Sequence, residues 1–228
     1  MILTGAGISA ESGIATFRDQ NGLWENHRIE DVATPEAFTA NPSLVHRFYN
    51  ERRKKLLGPD IKPSVAHQAL ARLQDEWGDS VLLVTQNIDN LHERGGSSQV
   101  LHMHGELLKA RCNHCRHIFC CEFETDTETL CPSCEWKGGI RPHIVWFGEM
   151  PFEMDRIYQA LDECELFIAV GTSGEVYPAA GFVAAVSSSA RTIEVNLKNS
   201  SVSSRFKERR VGPATEQVPL LVEELLNA

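Results

Sequence analysis

The chain opens on an apolar triplet, Met1-Ile2-Leu3, that runs directly into Thr4-Gly5-Ala6-Gly7-Ile8-Ser9-Ala10 and on through Glu11-Ser12-Gly13-Ile14-Ala15-Thr16-Phe17-Arg18. Strand, glycine turn and helix in that order begin a parallel α/β fold and its dinucleotide-binding variant. Gly5 and Gly7 lack a Cβ, so the backbone can approach whatever lies above the turn. The amides of a helix starting near Gly7 are expected to point outward with the positive dipole end, where a phosphate or pyrophosphate would sit. Taken alone, Gly5-x-Gly7-x-x-Ala10 also fits a tight turn that binds nothing. A hydride-transferring enzyme further calls for a strand ending in Asp or Glu roughly 20 residues on. Residues 21–34 instead hold Leu23 and Trp24 among polar groups with no β-branched run, a long loop of the kind that carries function.

The remainder alternates strands and helices. Thr34-Pro35 and Asn41-Pro42 each pair an N-cap residue with a first-turn proline, predicting two helical pieces over 35–58. Residues 63–77 form an amphipathic helix with Val65, Ala69, Leu70 and Leu73 on one side. The runs 81–85, 165–171 and 191–197 suit buried parallel strands. Helices are expected at 153–164, 178–187 and 213–226. This alternation predicts a doubly wound parallel sheet, with ligands at the carboxyl ends of its strands. Those ends are polar: Gln86-Asn87-Ile88-Asp89, Gly171-Thr172-Ser173 and Asn196-Leu197. One such end is ordinary turn chemistry; four of them, counting Gly5–Ser9, make a cofactor cleft the better reading.

Six of the seven cysteines lie between positions 112 and 134. Cys112-x2-Cys115-x15-Cys131-x2-Cys134 is the spacing of a four-thiolate zinc ribbon, in which no coordination position remains for substrate. A structural zinc is therefore expected. Cys120 and Cys121 stand at the wrong distance from either pair and read as packing residues. Just upstream, His102 and His104 occupy alternate positions of a predicted strand and should face one side. With the metal already satisfied, a histidine there can serve as a general base or as a structural group.

With 228 residues, 42% of them apolar, one large domain and a small insert can form a core. A net charge of −9, from 22 basic and 31 acidic side chains, argues against direct nucleic-acid binding. No membrane span or secretion signal is visible, so a cytoplasmic protein is expected.

Taken together, Gly5-Ala6-Gly7-Ile8-Ser9, Gly13-Ile14-Ala15-Thr16-Phe17-Arg18, Gln86-Asn87-Ile88-Asp89, His104-Gly105, the two C-x-x-C pairs, Gly171-Thr172-Ser173 and Asn196-Leu197 resemble the sirtuins, NAD⁺-dependent protein-lysine deacylases, from Thr4 to about Ala214. Ala15 departs from them, since proline is common there in the family. The resemblance implies a Rossmann-like large domain over about 1–34, 63–105 and 141–228. It also implies a small domain made of a helical insert, about 35–62, and a zinc ribbon, about 106–140. NAD⁺ would be consumed, with acyl-lysine entering the crevice between domains, His104 acting as base on a ribose hydroxyl, and nicotinamide and O-acyl-ADP-ribose released. Asn87 and Asp89 match the residues holding the ribose and the nicotinamide amide, and count with His104 as catalytic. The cofactor set extends over Gly5, Ala6, Gly7, Ile8, Ser9, Glu11, Thr16, Phe17, Arg18, Trp24, Gln86, Asn87, Ile88, Asp89, Gly171, Thr172, Ser173, Asn196, Leu197, Lys198 and Ala214. Val145, Trp146, Phe147, Gly148 and Glu149 match the segment that pairs with the extended substrate peptide. A monomer acting on acylated-lysine proteins, without nucleic-acid or membrane partners, is expected.

Tyr49 and Arg52 stand at i and i+3 of a predicted helix and share a face. They resemble the Tyr-x-x-Arg signature of the subclass, bacterial members included, that removes succinyl and malonyl groups. A guanidinium pairs bidentately with a carboxylate, and the phenol adds a hydrogen bond. Read without the resemblance, Arg52-Arg53-Lys54-Lys55 is a solvated basic face. An NAD-linked dehydrogenase, a mono-ADP-ribosyltransferase and a non-catalytic NAD⁺-sensing ribbon module remain as alternatives.

Overall fold

The protein was analysed as a computed structural model, which describes residues 1–16 and 27–227. Among the described residues the strands are β1 (Ile2–Thr4), β2 (Leu83–Thr85), β3 (Val100–His102), β4 (Gly105–Cys112), β5 (Ile118–Cys120), β6 (Ile140–Ile144), β7 (Leu166–Val170), β8 (Arg191–Asn196) and β9 (Glu208–Val211). The helices are α1 (Gly7–Ala10), α2 (Ile29–Val32), α3 (Pro35–Ala40), α4 (Pro42–Leu56), α5 (Val65–Trp77), α6 (Leu91–Arg94), α7 (Met154–Glu163), α8 (Phe182–Ala185) and α9 (Ala214–Leu226).

Six strands pair in the order β3-β2-β1-β7-β8-β9, all parallel. This is the doubly wound Rossmann order, in which the chain starts in the middle of the sheet and builds outward in both directions. The apolar runs follow from it, because a parallel strand covered on both faces is apolar at every position; β1 and β2 are buried throughout. One face is covered by α5 and α9, where Leu70, Leu73, Val218, Leu221 and Val222 meet Ile2, Leu83, Ile168 and Ile193. The other is covered by α7 and α8, through Ile157, Leu161 and Phe182 against Leu3, Val84, Phe167 and Ala169. A separate antiparallel sheet, β5-β4-β6, carries the cysteines. Among the described residues, no helix is long and apolar enough to cross a membrane.

Thr34 and Asn41 cap their helices as their positions require, accepting from the Ala37 and Leu44 amides at 3.0 and 3.1 Å. Two expectations change, and one strand was not expected. The helix beginning at Gly7 is a single turn, since serine and glycine follow where a longer helix needs good formers. The helix expected over 178–187 is a 3₁₀ turn, Ala179–Gly181, followed by the four-residue α8. Strand β9 was not legible at all: it is a charged sheet edge, where Arg209 and Arg210 blunt unwanted pairing and hide the apolar signal.

Replacing Leu70, which is 1% exposed between sheet and helices, is expected to be costly. Leu70→Ala should lower unfolding free energy by about 2–5 kcal/mol, read from the urea midpoint. A loss below about 1 kcal/mol would contradict this packing.

Candidate active site

The sheet order reverses between β1 and β7, and ligands collect outside the carboxyl ends of strands at such a point. The two turns leaving those strands touch backbone to backbone. Gly5 N–H donates to Val170 O at 2.9 Å, and Gly7 N–H donates to Gly171 O at 2.8 Å. A Cβ on Gly7 would lie 2.6 Å from the Gly171 Cα, and one on Gly171, at φ +64°, would lie 2.5 Å from the Ile8 nitrogen. Glycine is thus required for the two turns to meet. The amides expected to cradle an anion are engaged within the protein: Gly7 N–H donates to Gly171 O, while the Ile8 and Ser9 amides donate to Gly5 O and Ala6 O of their own turn.

Above these turns lies a cleft of about 780 Å³, within the range of small-molecule sites. It brings together Gly5, Ala6, Gly7, Ser9, Glu11, Thr16, Gln86, Asn87, Ile88, Asp89, Gly171, Thr172, Ser173, Asn196, Leu197 and Ala214. Polar side chains tie the strand ends to one another: Gln86 Nε2 donates to Thr172 Oγ1 at 3.1 Å, and Asn196 Nδ2 to Thr172 O at 2.7 Å. The Glu11 carboxylate accepts from Thr215 Oγ1 at 2.9 Å, fastening the cleft wall to the start of α9. Two residues read as cofactor contacts stand elsewhere. Ile8 is wholly buried in the core under the sheet, and Lys198 is exposed outside the cleft lining. Phe17, Arg18 and Trp24 lie outside the described residues. Tyr177 and Pro213 also line the cleft and were missed, because neither belongs to a local pattern.

His102 and His104 do not share a face, because the chain turns between β3 and β4. His102 Nε2 pairs with Glu93 at 2.6 Å. Burial disfavours its charged form, but the Glu93 hydrogen bond and charge outweigh that and raise its pKa. His104 lines the cleft, with Nδ1 at 3.0 Å from Gln86 O. A carbonyl only accepts, so Nδ1 carries the proton and Nε2 keeps its lone pair. Burial lowers the His104 pKa and holds the ring neutral. Gly105, at φ +83°, is forced: a Cβ there would lie 2.1 Å from His143 O.

The cleft floor continues into a buried polar network. Asn87 Nδ2 donates to Gly5 O and to Ser9 Oγ, each at 3.1 Å. Asp89, raised in pKa by burial, accepts from the Leu91 amide at 3.0 Å. Burial also depresses His67 to about 4, so its ring is neutral beside Ser9, 3.4 Å away.

The opposite wall is the segment after β6. Arg141, 5% exposed, grips the Glu149 carboxylate through Nη1 at 2.8 Å and Nη2 at 2.9 Å, and its guanidinium lies 3.3 Å above the Trp146 ring. Glu149 also accepts from the Trp146 amide at 2.8 Å. Its carboxylate therefore braces the segment from within, and Val145, Trp146, Phe147 and Gly148 line the cleft beside it. Arg141 was missed, because only the fold brings it to Glu149. Tyr49 also lines the cleft; its buried phenol accepts from Trp146 Nε1 at 3.0 Å, and burial pushes its pKa up. Arg52 is buried, 7% exposed, with its guanidinium over the Phe48 ring, and is not among the cleft-lining residues.

The ribbon cysteines converge. The Sγ atoms of Cys112, Cys115, Cys131 and Cys134 lie within 4.8 Å of one another, with Cys112–Cys134 at 3.8 Å and Cys115–Cys131 at 3.6 Å. A tetrahedral zinc with bonds of ~2.3 Å sets sulfur–sulfur edges of ~3.8 Å. The donor set fits a structural zinc ion. Cys121 is buried against this cluster as expected, whereas Cys120 is exposed on edge strand β5.

Known proteins are similar in sequence and fold. The Sir2 family model matches residues 5–178. Proteins described as NAD-dependent protein deacylase from Vibrio vulnificus and Bdellovibrio bacteriovorus are 59% and 57% identical, over 99% of this chain and 93% and 96% of their own lengths. A relative of the same description from Escherichia coli is 57% identical over 99% of this chain and 81% of its own. A crystal structure of a Sir2 homolog–NAD complex superimposes with a TM-score of 0.89 at 37% identity, covering 100% of this chain and 89% of that one. A Sir2–p53 peptide–NAD⁺ complex gives 0.81 at 29%, covering 100% and 93%. The chain belongs to the Sir2 family.

Because Cys112 and Cys131 are buried in the ribbon core, metal loss should unfold that sheet. Chelator-treated protein is expected to lose its zinc, by atomic absorption, and to melt at lower temperature. Unchanged melting after zinc removal would contradict this.

Proposed function

We propose that this protein is an NAD-dependent protein-lysine deacylase that removes acetyl, succinyl and malonyl groups from lysine side chains. The observation that carries the reading is His104: its neutral ring, with Nε2 as acceptor, opens on the same cleft as the Gly5–Ser9 and Gly171–Ser173 turns. The bare backbone of those turns and the polar strand ends suit a dinucleotide, with Ser9, Asn87 and Asp89 at one end and Thr172, Ser173, Asn196 and Leu197 at the other. Bound NAD⁺ would supply an electrophilic ribose carbon, open to attack by the acyl amide oxygen as nicotinamide leaves, and a ribose hydroxyl to receive the acyl group. The chain's own part is to position and to move a proton. His104 Nε2 accepts a proton from a substrate hydroxyl, and the Gln86 carbonyl stabilises the resulting imidazolium through Nδ1–H.

The acyl-lysine protein is read as lying along residues 145–149. Val145 N–H donates to His104 O at 2.9 Å and Phe147 N–H to Ala33 O at 3.0 Å, so a paired peptide would offer its N–H groups to carbonyls here. The Tyr49 phenol accepts from Trp146, which turns its own proton elsewhere. Arg52, one helical turn away, is buried behind the cleft lining with Nη1 donating to Phe48 O at 2.8 Å, and on this reading it turns toward the cleft to meet a distal acyl carboxylate beside the phenol. The division into a large domain, 1–34, 63–105 and 141–228, and a small domain, 35–62 and 106–140, is part of this reading.

Mass spectrometry of acetyl- and succinyl-lysine peptides, incubated with protein with and without NAD⁺, tests the activity; peptides returned intact with NAD⁺ unconsumed would overturn it. His104→Ala is expected to lose at least about 10²-fold in kcat while still binding NAD⁺. The base must be neutral and burial lowers its pKa, so wild-type activity should persist at pH 7 and fall only as pH drops through a value below the ordinary ~6.5 of histidine. An acid limb above that value would contradict the assignment. Arg52→Ala is expected to lose succinyl-lysine turnover about 10²-fold more than acetyl-lysine turnover. Equal losses on the two peptides would remove the acyl-recognition role.

A further inference from the structure

The basic run at the end of α4 does not form a solvated face. Lys54 and Lys55 are exposed, but Arg53 is 2% exposed and is among the largest fully buried side chains. Its Nε donates to Leu107 O at 3.3 Å, on β4; Nη1 donates to Phe123 O at 3.1 Å and to Asn50 Oδ1 at 2.8 Å. Asn50 continues the contact, with Oδ1 accepting from the Thr125 amide at 3.0 Å and Nδ2 donating to Thr125 O at 2.8 Å. One turn earlier, His46 Nδ1 and Thr125 Oγ1 are 2.9 Å apart. Three side chains of one helix thus bind the loop 123–125, which follows edge strand β5 of the cysteine ribbon.

That loop is itself tied to the metal cluster. Cys121 packs with Cys112 and Cys131, its amide donates to Leu108 O at 2.7 Å, and its thiol lies 3.6 Å from Phe123 O, the carbonyl that Arg53 holds. A buried guanidinium has to keep its acceptors, so this contact has little freedom to slide.

The helix geometry gives the contact a consequence. His46, Asn50 and Arg53 stand at i, i+4 and i+7 and form one stripe. Val45, Tyr49, Arg52 and Leu56 form the next, about 100° round the axis. Rotation of α4 by about 10° would carry a group ~6 Å from its axis by about 1 Å, and displacements of that size cost about 10²-fold in rate. We propose that Arg53, with Asn50 and His46, is a positioning device through which the metal ribbon fixes the rotation of α4 and so sets which acyl group Tyr49 and Arg52 accept. The inference rests on the deacylase reading for its substrate. The observed clamp links ribbon to helix without touching the strand ends that line the dinucleotide half of the cleft.

The test compares wild type, Arg53→Gln, Arg53→Lys and the ribbon-side variant Thr125→Val. It reads KM and kcat on succinyl- and acetyl-lysine peptides, NAD⁺ affinity, and amide hydrogen exchange. Arg53→Gln should raise the succinyl-peptide KM by about tenfold and shift the succinyl-to-acetyl ratio of kcat/KM, while NAD⁺ affinity stays within about twofold. Arg53→Lys should recover part of the loss, and Thr125→Val should move the ratio in the same direction. Exchange should quicken over residues 44–56 in Arg53→Gln and in zinc-depleted protein, with β1 and β7 unaffected. An unchanged acyl ratio, or NAD⁺ affinity falling in parallel with peptide affinity, would reduce Arg53 to a stabilising residue and overturn the proposal. Should Arg53→Gln fail to fold, Thr125→Val decides between the same outcomes. Should wild type consume no acyl-peptide, the deacylase reading fails, while the exchange comparison still decides whether ribbon and helix are coupled.

Discussion

Everything at the cleft depends on a backbone contact that no side chain could make. Gly7 donates to Gly171 between the turns that leave the paired strands β1 and β7, and both residues must be glycine for the turns to approach. At that point the sheet order reverses, and the cleft lies above the carboxyl ends of the strands. The contact takes up the Gly7 amide, one of those expected to cradle an anion. What it builds instead is a narrow floor of bare backbone, lined by Ser9, Asn87, Thr172 and Asn196.

Burial then assigns chemistry to groups that look alike in sequence. Two histidines separated by one residue differ because one meets a carboxylate and the other a carbonyl. Glu93 raises His102, whereas burial lowers His104 and the Gln86 carbonyl chooses its tautomer. The same logic applies to adjacent arginines. Arg52 sits over the Phe48 ring, and Arg53 turns the other way into the ribbon. Glu149 looks like a surface carboxylate beside a substrate segment, yet two arginines and a backbone amide hold it inside that segment, and its pKa is depressed although burial opposes this.

Helix α4 meets the small sheet along two of its stripes. One stripe of that helix is polar and answers to the ribbon; the next carries Tyr49, which answers to Trp146 and the cleft. The cysteine ribbon is thereby joined to the helix that carries Tyr49 by hydrogen bonds between buried groups, the interaction least tolerant of displacement.

Sequence alone determined the features whose physics is local. The Thr34-Pro35 and Asn41-Pro42 helix starts, the apolar runs of β2, β7 and β8, and the cysteine spacing each depend on neighbours a few residues apart. Motifs carrying many residues in one order extended that to the family and to most of the cleft lining. Tertiary structure decided whatever depends on residues distant in the chain. It set which of two histidines faces the cleft, sent Ile8 to the core and Lys198 to the surface, and joined Arg141 to Glu149 and Arg53 to Phe123. It also placed β9, whose charged edge leaves no apolar pattern. The reason is physical. A side chain's charge state and partners follow from what desolvates it, and that is known only when distant segments have packed around it.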